Sequence, residues 1–193
     1  MNNIIKNFKT HPLVEMKFVR PMKLTYNQNG VDRQWEAVKS FDSVAVLIYH
    51  EEKKSFLLVK QFRPPVYMND NSRVCTYELC AGLVDKDIDL DTIVQEEIDE
   101  ECGYKVPLEN IQRITGYFTN VGVSGGQQSF YFATVNASMK AHDGGGIHDE
   151  EIETYLLPIT QIDEFIFDES KAKTPGLMFS FLWFRENFKN LFN

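Results

Sequence analysis

The spacing of apolar and polar positions changes repeatedly along this 193-residue chain, and each change predicts an element. Ser43 to Tyr49 carries an unbroken Val-Ala-Val-Leu-Ile run, the pattern of a strand buried on both faces. Phe56 to Phe62 is its partner strand after a polar turn at Glu51 to Lys54. Pro64-Pro65 ends that strand, because proline brings no N–H to a sheet ladder. Upstream, Val14 to Tyr26 and Arg33 to Val38 are rich in β-formers and flank Asn29-Gly30, a hairpin-turn signal. Cys75 to Leu79 predicts a short strand broken at Ala81-Gly82, after a loop at Asn69 to Ser72. Three more strands are expected at Ile111 to Phe118, Gln128 to Val135 and Glu151 to Leu157, with a glycine-rich loop at Ala141 to His148. Leu90 to Cys102 is the clearest helix, with Asp89 as N-cap and Gly103 where a helix often ends. Short helices near Thr160 to Phe167 and Leu177 to Phe188 close the chain, and the aromatic content of the last predicts packing. The class is α+β with a strand-rich body over 41–193 and a β extension over 1–40.

The chain is long enough to bury a real core. Its net charge of −8 argues against nucleic acid as a partner, since phosphate backbones are met by clustered Lys and Arg. No apolar run approaches a membrane span, and Met1 to Arg20 carries no signal-peptide pattern. Cys75, Cys80 and Cys102 form no CxxC pair, which fits a reducing, cytoplasmic setting. His11, His50, His142 and His148 have no zinc-ligand spacing.

Glu96-Glu97-Ile98-Asp99-Glu100-Glu101 changes the picture. On a helix, Leu90, Ile93, Val94, Glu97 and Glu101 share one face, with Glu100 at its edge. Like charges at i,i+3 and i,i+4 destabilise a helix by about 0.2–0.5 kcal/mol each. They also sit at the negative end of the helix dipole. A solvated acidic face is the plain explanation of such a run. A bound divalent cation would reverse the penalty, and hard oxygen donors suit Mg²⁺ or Mn²⁺.

Gly82 to Tyr104 resembles the Nudix box: Gly, five residues, Glu, seven residues, then Arg-Glu-apolar-x-Glu-Glu-x-Gly-apolar. Gly82, Glu97, Ile98, Glu100, Glu101, Gly103 and Tyr104 match at the right spacing. Ile88 stands at the family's first Glu and Glu96 at its Arg, a structural, partly ion-paired couple in the family. Both are lost together, and Asp87 or Asp89 is available to take over part of the role. Val59 to Pro64 and Tyr77 to Gly82 are similar to segments of ADP-ribose and nucleotide-sugar pyrophosphatases. Glu100 to Tyr104, Gly144 to Gly146, Leu157-Pro158, Lys173 to Phe179 and Trp183-Phe184 look most like the animal UDP-sugar pyrophosphatase branch. The ADP-ribose branch carries a proline downstream of the box, and none stands at Thr119 or its neighbours.

The resemblance implies a Nudix α/β/α sandwich with a mixed sheet and an N-terminal β-hairpin extension that contributes to a homodimer. It implies Mg²⁺-dependent hydrolysis of a nucleoside diphosphate sugar to a nucleoside monophosphate and a sugar 1-phosphate. The alternatives are an ADP-ribose or ADP-sugar pyrophosphatase, and a catalytically silent binding module of the same fold. Glu97, Glu101 and Glu100, with the Ala81 carbonyl, are the implied metal ligands. Glu100 and Glu150 are the catalytic candidates; Glu150 is the best match for the general base, with Glu151 and Glu153 as alternatives. Arg63 and Glu78 are implied substrate contacts, and a surface ion pair is the alternative for Arg63. Tyr117, Phe118 and the Val121 to Gly126 loop are candidates for the sugar or base pocket. The Gly144 to Gly146 run suits a loop that closes over substrate.

Overall fold

The computed structural model describes residues 4–16, 19–147 and 150–192. Strands β1 (Arg20–Gln28) and β2 (Val31–Lys39) pair antiparallel from Gln28↔Val31 to Arg20↔Lys39. Asn29 and Gly30 both take positive φ, 56° and 81°, as the tight turn of a two-residue hairpin requires. The first strand begins at Arg20 and not at Val14, because β2 ends at Lys39, opposite Arg20. Lys17 and Phe18, inside the expected strand, lie outside the described residues, as does His148 in the glycine-rich loop. The hairpin forms its own two-stranded sheet and is exposed over most of its length.

The body is a mixed sheet of eight strands. They are β3 (Ser43–His50), β4 (Ser55–Gln61), β5 (Thr76–Glu78), β6 (Cys80–Leu83), β7 (Ile111–Phe118), β8 (Gln127–Val135), β9 (Ile152–Pro158) and β10 (Ala172–Lys173). β3 runs antiparallel to β4 only at Ile48–His50 against Ser55–Leu57. Beyond that the two diverge. β6 pairs with Ser43–Val46 of β3, and β5 pairs with Val59–Gln61 of β4, so one segment fills the wedge between them. Ala81-Gly82 therefore continues a strand and does not break one. β8 lies parallel to β3, β7 antiparallel to β8, and β9 antiparallel to β4.

Alternate residues of β3 face two separate cores. Val44, Val46 and Ile48 pack with Ile93, Val94 and Ile98 of helix α2 (Leu90–Glu97) and its continuation. Ala45, Leu47 and Tyr49 pack with Ile162 and Phe165 of α3 (Ile162–Phe167) and with Leu177, Phe181 and Phe184 of α4 (Pro175–Asn187). The rings of Phe56, Phe181 and Phe184 meet at 4.8–5.0 Å, so the closing helix is core as expected. A further helix, α1 (Pro64–Asn69), starts at the two prolines that end β4, since proline is well placed in a first helical turn. Among the described residues no helix is long and apolar enough to cross a membrane.

Candidate active site

Helix α2 (Leu90–Glu97) does not run regularly to Cys102. It passes into a π-helical turn, Ile98–Cys102, and ends at Gly103 with φ 72°. Asp89 is the N-cap residue, but its side chain makes no capping hydrogen bond. The apolar face presses against β6 and carries Glu97 and Glu101 inward with it. Glu101 is only 4% exposed. Its carboxylate accepts the Ala81 N–H at 3.0 Å and the Cys80 thiol. A methyl group at Gly82 would overlap the Glu97 carboxylate, so glycine here serves close approach, not chain reversal.

Burial pushes Glu101 up to about 8, against the relief from its two donors, and the charges of Glu97 and Glu150 push it further. Burial likewise raises Glu97 to about 7, with Glu100, Glu150 and Asp85 adding and Lys86 opposing. The structure thus gathers Glu97, Glu100, Glu101 and Glu150 into one field. The Ala81 amide faces Glu101 and not β3, so Ala81 occupies a non-hydrogen-bonded position of the ladder with its carbonyl turned to the same side.

Arg63 is the N-cap residue of α1, and Glu78 ends β5. They form a two-pronged ion pair, Nε to Oε1 at 2.9 Å and a terminal nitrogen to Oε2 at 2.8 Å. Thr76 donates to the same carboxylate. The two expected substrate contacts are each other's partner. The charges of Glu101 and Glu150 also act on Arg63, which leaves its guanidinium at the rim of the acidic cluster.

The Gly144 to Gly146 run is not a free lid. Its amides close the end of the acidic helix: Gly145 N–H donates to the Glu101 carbonyl at 3.0 Å and Gly146 N–H to that of Glu100 at 3.1 Å. All three glycines have positive φ, and a methyl at Gly144 would overlap the Glu101 carbonyl. His142 bridges the two parts, with Nε2 2.9 Å from Asp99 and Nδ1 accepting the Gly144 N–H at 3.1 Å. The same loop presents Glu150, whose Oε2 accepts the Ile147 N–H at 3.1 Å. Glu153 instead lies on β9 beside Lys60, at 3.7 Å, and Glu151 is exposed.

Glu96 has a partner that the sequence reading missed. Lys86 lies 2.5 Å from its carboxylate, an ion pair of reversed polarity that ties the Leu83 to Leu90 loop to α2. The role offered to Asp87 or Asp89 falls to Lys86. A search of the loop for any cation facing Glu96 would have found it.

A cleft of about 720 Å³ opens beside Glu78 and Ala81. Tyr117 and Phe118 line it, as do Thr119 and Asn120, while Val121 to Gly126 do not. Thr174, Pro175, Gly176 and Phe179 form the facing wall. The Tyr117 hydroxyl donates to Gln128 at 2.7 Å, and Gln128 donates on to Ser43 at 3.0 Å. Burial pushes Tyr117 up to about 12, which keeps it a neutral donor. A methyl group at Gly176 would meet the Tyr117 hydroxyl and displace it from this position.

Among the described residues no group of three or more His, Cys, Asp or Glu is gathered closely enough to hold a metal ion as it stands. The chemistry of the donor set nevertheless fits one. Half-buried Glu97 and buried Glu101, raised to about 7 and about 8 by burial and by neighbouring carboxylates, are groups whose charged forms a cation would stabilise. All the donors are hard oxygens, which suit Mg²⁺ or Mn²⁺.

No protein-family model matches the chain. It is 33% identical to a uridine diphosphate glucose pyrophosphatase of Bos taurus, over 86% of this chain and 88% of the relative. It is 30% identical to the corresponding protein of Mus musculus over the same shares. A GDP-mannose pyrophosphatase of Pectobacterium atrosepticum is 31% identical over 81% of this chain and 79% of its own. A mixed α+β fold, a Nudix-spaced acidic helix and these relatives define a hydrolase of phosphorus-containing anhydrides. The chain belongs to the Nudix hydrolases, among the pyrophosphatases of that family.

Proposed function

We propose that this chain hydrolyses the pyrophosphate linkage of a UDP-glucose-like nucleoside diphosphate sugar, giving a nucleoside monophosphate and a sugar 1-phosphate. The observation that carries the reading is the half-buried Glu97 and buried Glu101, joined through Ala81 to a cleft of about 720 Å³ with an aromatic wall. The relatives acting on UDP-glucose and GDP-mannose support the substrate class.

In this reading Glu97, Glu100 and Glu101, with the Ala81 carbonyl, hold the divalent cation. When bound, that cation neutralises phosphate charge and lowers the pKa of an attacking water. The remaining work belongs to the chain. Glu150 accepts a proton from the water as it adds to phosphorus and the bridging P–O bond breaks. Arg63, held in its fork by Glu78, faces the phosphates with a planar set of donors. Tyr117 and Phe118 bound the nucleoside or sugar end, and the Tyr117–Gln128–Ser43 chain fixes the Tyr117 hydroxyl. The two cores on opposite faces of the sheet support the α/β/α sandwich. The exposed hairpin, with Met22, Leu24 and Val31 on its surface, is assigned to a homodimer contact. Three unpaired cysteines accord with the cytoplasm.

The test is phosphate release in a phosphatase-coupled assay with UDP-glucose, GDP-mannose, ADP-ribose and ADP-glucose, each with Mg²⁺. Turnover of UDP-glucose above ADP-ribose, lost in Glu101→Gln, is the expected result. Preference for ADP-ribose moves the substrate and keeps the site. No metal-dependent turnover of any of the four refutes the enzymatic reading.

A further inference from the structure

The hairpin touches the body at one place that bears on the cleft. The Trp35 indole N–H donates to the Gly122 carbonyl at 2.9 Å, and the Val38 N–H donates to the Val123 carbonyl at 2.9 Å. Both acceptors lie in the loop between β7 and β8. That loop is closed on itself: the Asn120 carbonyl, at a residue of positive φ, accepts from Val123, Ser124 and Gly125, and Thr119 N–H donates to Gly126 at 2.8 Å. Its first two residues, Thr119 and Asn120, are wall residues of the cleft. On its far side the Asp42 carboxylate accepts the Gln127 N–H at 2.9 Å. The loop is therefore held at one end by the sheet and at its tip by the hairpin. Trp35 is 53% exposed, so packing alone does not account for its placement.

We propose that Trp35 is a positioning residue for substrate binding: its indole N–H anchors the β7–β8 loop and so sets the place of Thr119 and Asn120 in the cleft wall. The N-terminal extension then takes part in substrate recognition within its own chain. Trp35 acts through the loop that carries Thr119 and Asn120 of the cleft wall, so its effect falls on KM and not on kcat. The inference rests on the reading of the cleft as the substrate site.

The experiment uses the full chain with Mg²⁺ and the native protein beside Trp35→Phe, which keeps a ring and removes only the N–H donor. A lost hydrogen bond of ordinary strength corresponds to a KM for UDP-glucose raised about three- to tenfold. The expected result is that rise with kcat within about twofold and an unchanged thermal midpoint. Amide exchange of Val123, Ser124 and Gly125 should be faster in the variant, a readout that needs no turnover. An unchanged KM with unchanged exchange overturns the proposal. So does a fall in kcat and thermal midpoint together, which marks a general structural role. A native chain that turns over none of the nucleotide sugars refutes the proposed function instead, and the exchange comparison still decides whether Trp35 holds the loop.

Discussion

Replacing Glu101 by glutamine removes one charge and keeps nearly the same shape. In the metal-free protein that change should stabilise the fold. Burial raises Glu101 from the ordinary glutamate value of about 4.5 to about 8. Its neutral form is therefore favoured in the folded chain. Below about pH 4.5 the group is protonated whether folded or not, and it contributes no difference. As the pH rises, the unfolded chain ionises first, and stability is lost at about 1.4 kcal/mol per pH unit until the folded group ionises near 8. The full span amounts to about 5 kcal/mol. Glutamine has no such term, so the difference between variant and native reports Glu101 together with its coupling to Glu97 and Glu150. The assay is denaturant unfolding of both proteins in EDTA at pH 5, 6, 7 and 8. The stability gap should open in favour of Glu101→Gln and reach about 3 kcal/mol or more by pH 8. Saturating Mg²⁺ should reverse it, because a cation that binds only the folded native site stabilises that site alone. A gap that is flat with pH, or that favours the native chain throughout in EDTA, refutes the claim that an uncompensated carboxylate is buried here.

Gly144→Ala puts a side chain at φ 72° and into the Glu101 carbonyl, so it should destabilise by about 2 kcal/mol or more and lower kcat, whereas Gly122→Ala, in open space, should do neither; denaturation midpoints and initial rates decide. His50 is 1% exposed with neither ring nitrogen hydrogen-bonded among the described residues, and burial lowers its pKa. Stability should therefore fall as the pH drops below the ordinary 6.5 toward that lowered value, and His50→Leu should flatten this acid-side loss in thermal melts at pH 5 and 7. Lys86→Glu should lower the midpoint by about 0.5–1 kcal/mol, and adding Glu96→Lys should recover most of it in a double-mutant cycle; additive losses would show that the pair carries no coupling.

The strands β3 and β8 were legible because their apolar runs are continuous and bounded by turn residues. The hairpin was legible from Asn29-Gly30 and the β-formers on either side of it. Helix α1 was not, because Pro64-Pro65 both ends a strand and begins a helix, and the chain's local pattern reports only the first. Ala81-Gly82 was misread for a similar reason. Glycine in a strand marks a bend or a close approach, and only the position of Glu97 decides between them. The π turn leaves no trace in a 3.6-residue period, although turns of that kind gather at functional sites. Lys86 and Trp35 escaped because each acts on a residue outside its own element, and the Trp35 contact spans 87 positions.

The acidic run was recognised through helix electrostatics, but that was the smaller effect. Pairwise repulsion on an exposed helix amounts to a few tenths of a kcal/mol per pair. Burial of Glu101 at 4% exposure is several times larger, and it requires tertiary structure to arise. Two neighbours fit the carboxylates and a third fits the backbone that carries them. Gly82 leaves room for Glu97, Ala81 turns its amide to Glu101, and Gly144 fits beneath the Glu101 carbonyl. Any substitution that relaxed the cluster would make folding easier. A fold selected for stability alone would therefore discard it, and the surrounding residues instead hold it in place, which is what the proposed cation site calls for.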